Sequence, residues 1–175
     1  MEEIGQVMAQ DAESDAVDHI VGQWNRERPD VDPSPAHVIG RITRLHWVLD
    51  ERLGRVFERY DLGRGEFDML GTLRRSGPPY ELTAGELRGS MMVTSGAVTK
   101  RVDRLERAGL VGRRAAESDA RGRLIRLTDR GRELIDEVVE EHFRNEARLL
   151  AGLTADERST LTVLLRKLGR TLPGE

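Results

Sequence analysis

Basic side chains are concentrated in one stretch of this sequence, residues 85–132. Twelve lysine and arginine residues there stand against six acidic residues, a net charge of +6. The whole chain of 175 residues has a net charge of −3, and residues 1–33 hold nine acidic residues against two arginines. Ammonium and guanidinium groups bind phosphate oxygens, so a basic block within an acidic chain is typical of a surface that binds a polyanion. Taken alone, this charge distribution also fits an ordinary solvated surface.

A helix that starts with small and polar residues lies in the middle of this basic stretch. Val98, Val102 and Leu105 recur at the spacing of one helix face and therefore predict its buried side. Small residues at the start would let the helix enter a major groove, where its N–H groups and basic side chains reach bases and phosphates. The candidate contact residues on this helix are Thr94, Ser95, Gly96, Ala97, Thr99, Lys100 and Arg104.

A basic hairpin is predicted directly after this helix, with short strands over residues 110–114 and 123–127. Asp119 lies in the turn, where its carboxylate can hold the loop by pairing with Arg121 or with backbone N–H groups. Arg121 and Arg123 would then form a cationic tip that suits a narrow minor groove. A helix followed by such a hairpin predicts a winged helix-turn-helix that binds double-stranded DNA.

The rest of the chain supplies the elements that must position this lobe, and its pattern predicts a mainly α protein. We expect residues 1–12 to be disordered, 13–34 to form an extra N-terminal helix and a proline-rich linker, and 61–127 to form the winged lobe. Longer helices are expected over about 15–27, 35–60, 65–74, 128–150 and 154–172. Thr83 should cap a further short helix, and Thr94 or Ser95 should cap the helix that carries the candidate contacts.

Several classes of function are disfavoured by what the sequence lacks. It has no cysteine, which excludes disulfides and thiolate metal sites. It has no apolar run of about 18 residues, and its first twenty residues are acidic without an apolar segment, so we expect no membrane partner, no secretory signal and a cytoplasmic setting. The four histidines share no metal-ligand spacing, and no glycine-rich phosphate loop or Ser-His-Asp set is visible. We therefore expect neither an enzyme nor a cofactor.

Three motifs together resemble the MarR family of bacterial regulators. They are residues 93–111, Asp119-x-Arg121, and the run from Leu127 to Gly131, and the resemblance covers about residues 35–172. It implies an obligate homodimer whose N- and C-terminal helices, 35–60 and 128–175, intertwine. It also implies that two winged lobes read the halves of a pseudo-palindrome, usually to repress a promoter. Those helices carry more apolar residues than one small lobe needs, and twofold symmetry predicts palindromic DNA.

Four further residues resemble the ligand set of the urate-responsive branch of this family, the HucR and PecS/TamR-like proteins. They are Trp24, Asp68, Arg101 and Arg113. The resemblance implies that a small anionic effector such as urate is stacked by the indole, neutralised by an arginine and bonded through its ring N–H groups to the carboxylate. Because Arg101 lies on the DNA-reading helix, a ligand that recruits it could tilt that helix away from the groove.

Other interpretations remain open for these residues and for the chain. Trp24 fits a core or dimer-packing residue, Asp68 a surface residue, and either arginine a phosphate contact. Arginines would equally serve a citrate-like acid, and a phenolic compound is a further possible effector. A winged helix retained only for protein interaction, without DNA reading, is the rival function.

Overall fold

The computed structural model describes residues 14–91, 95–115 and 123–172. Its elements are, in chain order, α1 (Ala16–Glu27), α2 (Ala36–Glu58), α3 (Arg64–Arg75), β1 (Glu81–Thr83), α4 (Ala84–Met91), α5 (Ser95–Arg107), β2 (Val111–Ala115), β3 (Arg123–Leu127), α6 (Asp129–Leu149) and α7 (Ala155–Thr171). The chain divides into two compact units, and the boundary falls inside α2, between Arg52 and Leu53. Among the described helices, none combines the length and the apolar character that a membrane crossing requires.

The mainly α fold predicted from the sequence is confirmed. All seven predicted helices are present, and the ends that were predicted lie within two residues of the observed ones. The agreement has a local cause at two of the helix starts, where caps form, and the Thr83 cap is the one that the sequence predicts. Thr83 and Glu86 bond reciprocally at the start of α4, and Thr154 and Glu157 do the same at the start of α7.

In the first unit, α1 begins at a reciprocal cap and is bound to α2. The Asp15 carboxylate accepts hydrogen bonds from the N–H groups of Val17 and Asp18, and the Asp18 carboxylate accepts one from the N–H of Asp15. Arg41 of α2 donates to both carboxylates, at 3.0 Å to Asp15 and 2.6 Å to Asp18. Gly40 makes room for the buried Val17, whose Cγ1 would lie only 3.1 Å from a Cβ at position 40. Packing and charge therefore hold the two helices together.

The second unit encloses a hydrophobic core between its helices and a small sheet. Its fully buried large side chains are Met69, Leu70, Leu73, Leu87, Val102, Leu105, Ile135 and Val138. Val98, Val102 and Leu105 all face this core, as their spacing predicts. The DNA-reading helix proposed from the sequence is thus packed against the lobe along one narrow stripe.

The sheet has three antiparallel strands in the order β1-β3-β2, where the sequence predicted one hairpin of two strands. The missed strand, β1, pairs Leu82 with Ile125 in the segment between α3 and α4, where the sequence predicted no strand. A strand of three residues is too short to show the alternation that identifies a strand. β1 exists because β3 offers a free edge for pairing, which is a tertiary effect.

A compact junction joins the end of α5 to the start of α6. Gly109 has the positive φ of +71° that a helix-terminating residue needs, and the N–H of Leu110 donates across it to the carbonyl of Leu105. Thr128 caps α6, donates its hydroxyl to the carbonyl of Gly109, and donates its N–H to the carbonyl of Leu110. The cap of α6 is thereby bonded to the turn that ends α5.

Gly131→Ala is expected to destabilise the protein by about 1–3 kcal/mol, because a Cβ at this position would collide with the carbonyl of Leu110. Urea unfolding followed by circular dichroism measures the change. Gly89→Ala is the matched control, since a Cβ there meets no atom within 4 Å and alanine favours the helix by up to about 1 kcal/mol. Equal unfolding midpoints for the two variants would contradict the close approach at Gly131.

Protection of α1 against hydrogen exchange is expected to fall as the pH drops from about 4 to about 2. The hydrogen bond from Arg41 lowers the pKa of Asp18 from 3.8 to about 2, so the stabilisation is present above the unfolded-state pKa and is lost as the folded-state pKa is passed. Asp18→Asn should weaken protection already at pH 5 and reduce its pH dependence. Asp30→Asn removes a carboxylate that pairs with Arg28 outside α1, and it should behave like the parent protein.

Candidate nucleic-acid interface

The N-terminal half of α5 presents small and basic residues to solvent. Gly96, Thr99 and Lys100 are exposed, and Ala97 is half-buried, on the side of the helix away from Val98 and the core. The backbone N–H groups of the first turn of such a helix attract phosphate. This surface has the size and the chemistry to enter a major groove.

Three of the residues predicted to bind or support DNA binding, Thr94, Asp119 and Arg121, lie outside the described residues, as does the side chain of Ser95. Arg123 is described: it is the first residue of β3, it pairs with Ala115 of β2, and it is exposed. Arg123 was predicted for the tip of the wing, and the structure places it as a solvent-facing cation at the start of β3.

Arg104, also predicted as a DNA contact, is bonded to its own lobe. Its Nε lies 3.0 Å from a carboxylate oxygen of Glu66, and its Nη2 donates to the carbonyl of Asp61 at 3.2 Å. Glu66 lies in the first turn of α3 and is buried, with 7% of its surface exposed. Glu66 was not selected from the sequence, where its only signal is its place at the third position of a helix.

Arg113 connects the wing to the opposite flank of α5. Its guanidinium donates to the carboxylates of Asp103 and Glu106, which lie one helical turn apart on α5. The hydrogen bond with Asp103 raises the pKa of Arg113 above its usual value, with further attraction from Glu106. A residue predicted to bind ligand is thus part of the ion-pair system that holds the candidate reading helix.

Arg101 lies against the first turn of α3. The same helix carries Asp68 further along. The Arg101 guanidinium occupies the space that a side chain at position 65 would fill, so Gly65 leaves room for this contact. Asp68 follows one turn later on α3, with its side chain exposed. The structure thus places two of the four predicted ligand residues on facing helices α3 and α5.

Trp24, the remaining predicted ligand residue, belongs to the first unit. It lies on α1 and is 54% exposed. Its indole lines a cavity of about 360 Å³ together with Arg28, Val31, Pro33 and Pro35 of the linker. A flat ring could stack on the indole there beside the Arg28 guanidinium.

Two arginines that were not selected from the sequence, Arg114 and Arg126, lie on the outer face of the sheet. Arg114 donates to both carboxylate oxygens of Glu81, at 2.9 and 2.5 Å, and this bond lowers the pKa of Glu81. Arg126 is exposed and pairs with Glu81 and Gly112 across the sheet. Arg126 pairs with Gly112, and Arg114 lies two residues further along the same strand, so both arginines lie on one face of the sheet. The alternation of residues along the two strands would have predicted this.

Comparison with known proteins agrees with this geometry. The sequence model of the MarR family matches residues 60–122 of this chain. The transcriptional regulator PecS of Dickeya dadantii is 42% identical over 89% of this chain and 94% of its own length. The crystal structure of AbsC, a MarR-family regulator from Streptomyces coelicolor, superposes with a TM-score of 0.74 at 20% identity over 83% of this chain and 98% of that one, which shows the shared fold.

A structure with DNA bound is also similar. A cysteine-to-serine mutant of MarR from E. coli, crystallised with operator DNA, is 29% identical, with a TM-score of 0.65 over 91% of this chain and all of that one. These relatives are transcriptional regulators rather than enzymes. The MarR resemblance inferred from the sequence motifs is confirmed, including its PecS-like branch. The chain belongs to the MarR family of winged-helix transcriptional regulators that bind DNA.

Proposed function

We propose that this protein is a dimeric repressor that binds a pseudo-palindromic promoter site and is released from it by a small anion such as urate. The observation that carries the proposal is the exposed N-terminal half of α5, where Lys100 and small residues face solvent while Val98 and Val102 are buried. The proposed DNA contacts on this helix and the wing are Thr94, Ser95, Gly96, Ala97, Thr99, Lys100, Arg121 and Arg123.

Dimerisation is supported by apolar surface that the single chain leaves exposed. Large exposed apolar side chains on α2 are Val38, Ile39, Ile42, Leu45, Trp47, Val48 and Leu49. On and after α6, and on α7, they are Phe143, Leu150, Leu161, Val163, Leu164 and Leu165. Contiguous apolar faces of this extent mark protein interfaces, and a second copy of the chain supplies a self-complementary one. Two lobes related by a twofold axis then read the two halves of a palindrome.

Release by an anion is supported by the charges on the flanks of α5. The Arg113 guanidinium is occupied by Asp103 and Glu106 of α5, so an anion that binds Arg113 competes directly with those carboxylates. An anion that draws Arg101 away from α3 acts on the same helix. Coupling between ligand and DNA requires contacts that differ between the DNA-bound and released positions of α5, and we propose the contacts of Arg101 and Arg113 for this role. In this proposal Trp24 stacks on the ligand and Asp68 accepts from its ring N–H groups.

The DNA-binding proposal predicts tight, salt-sensitive binding of the protein to a duplex from its own upstream region. Lys100→Ala and Arg121→Ala should each weaken binding, and removal of one cation that pairs with a phosphate should reduce the slope of log affinity against log salt by about one per half-site. Fluorescence anisotropy at several salt concentrations measures both quantities, and size-exclusion chromatography checks that the variants stay dimeric.

Arg75→Ala is the control for this measurement, since it removes an exposed positive charge from the last residue of α3. It should change affinity far less than Arg121→Ala. Equal affinity of the Arg121 variant and the parent protein would remove the wing from the interface. Failure to bind any duplex at low salt, including duplexes enriched from a random pool, would favour the protein-interaction alternative.

The ligand proposal predicts that urate releases the protein from DNA and that Trp24→Ala or Asp68→Ala blunts this response while DNA affinity is retained. Without stacking, urate binding should be about tenfold weaker, and Trp24→Phe should preserve most of the response because it keeps an aromatic face. Urate titrations of the DNA complex followed by anisotropy measure the effect. A full response in the Trp24→Ala variant would exclude that residue, and release by citrate or a phenol but not by urate would change the effector class.

A further inference from the structure

Glu66 makes contacts that distinguish it from the other glutamates that cap helices in the described part of this chain. One carboxylate oxygen accepts the N–H of Gly63 at 2.6 Å and caps α3, and the other lies 3.0 Å from Nε of Arg104. Glu86 and Glu157 occupy the same position in α4 and α7, but they are exposed and their hydrogen bonds are to their own cap residues, Thr83 and Thr154. Capping alone therefore requires neither burial nor an arginine.

Arg104 completes a bridge from α5 to the turn before α3. Its Nη2 donates to the carbonyl of Asp61, a residue held at a φ of +52°. Turning both nitrogens toward a DNA phosphate would leave the buried Glu66 carboxylate without its positive partner, which is strongly unfavourable. The contacts of Arg104 thus favour a bond within the lobe over a bond to DNA.

We propose that Glu66 is a positioning residue for DNA reading. It binds Arg104 and thereby fixes the angle at which α5 is held. This inference rests on the proposed function of α5 as the reading helix. Arg104 lies eight residues after Gly96, and at about 1.5 Å per residue the contact surface begins about 12 Å away along the helix axis. A small rotation of α5 at the Arg104 end is therefore enlarged at the end that enters the groove.

The direction of the change in DNA affinity distinguishes positioning by Glu66 from a simple effect of its charge. Glu66→Gln removes a negative charge from the DNA-binding lobe, and charge alone would leave affinity for DNA unchanged or raise it. The glutamine amide keeps an oxygen for the N–H of Gly63 but turns a donor toward the Arg104 guanidinium. Positioning by Glu66 therefore predicts weaker binding, against the charge effect.

A double-mutant cycle tests this assignment. Operator affinity and its salt slope are measured by anisotropy for the parent protein, Glu66→Gln, Arg104→Gln and the double variant, with Glu86→Gln as the control for removing a capping carboxylate from the same lobe. We expect each of the two single variants to weaken binding about tenfold with an unchanged salt slope. The double variant should be no weaker than the weaker single variant, because both remove one shared contact.

The opposite pattern would overturn the assignment. If Arg104 binds phosphate, Arg104→Gln reduces the salt slope by about one per half-site, Glu66→Gln has no effect or tightens binding, and the two effects add. Hydrogen exchange of the α5 amides in the free protein supplies a readout that needs no DNA. It should show faster exchange in Glu66→Gln than in Glu86→Gln, and equal exchange would refute the bridge even if the parent protein bound no duplex.

Discussion

The second unit depends on how α5 is held by one narrow apolar stripe. Val98, Val102 and Leu105 are its contribution to the core, and the N-terminal half of the helix beside them is open to solvent. Three buried side chains constrain the rotation of a helix about its axis only in part, because the hydrophobic effect is not directional. Ion pairs on the two flanks of α5 restrict this rotation further. Arg104 bonds to Glu66 on one side, and Arg113 from the wing bonds to Asp103 and Glu106 on the other.

The sequence predicted the elements whose signals are local. Reciprocal caps, a glycine after the last turn of α5, and apolar residues at helical spacing act within a few residues, so they can be read in order along the chain. β1 was missed because its existence depends on an edge of β3, which lies far away along the chain. Gly131 was part of a recognised motif, but its reason became visible only when the carbonyl of Leu110 was found against it.

The sequence predicted which basic residues surround α5 better than it predicted which acidic residues they bind. The basic residues around α5 were identified from charge and spacing, and Arg101 and Arg113 from resemblance to relatives. Which carboxylate Arg104 or Arg113 binds depends on how α3, α5 and β2 meet, because several acidic residues lie near each of them in the sequence. Glu66 illustrates the limit, since at the sequence level it is one acidic residue in the first turn of a helix and in the fold it is a buried counter-ion.

In the proposed dimer, the exposed apolar residues along α2 would also tie the stability of this protein to its abundance. Association stabilises the folded chain, so the folded fraction rises with the number of chains in the cell. When few copies are present, unpaired chains expose Ile39, Leu45 and Trp47 to proteases and chaperones, which remove them. A dimeric repressor of the proposed kind would have a minimum working concentration set by its own interface, below which it would leave its target genes unrepressed without any ligand.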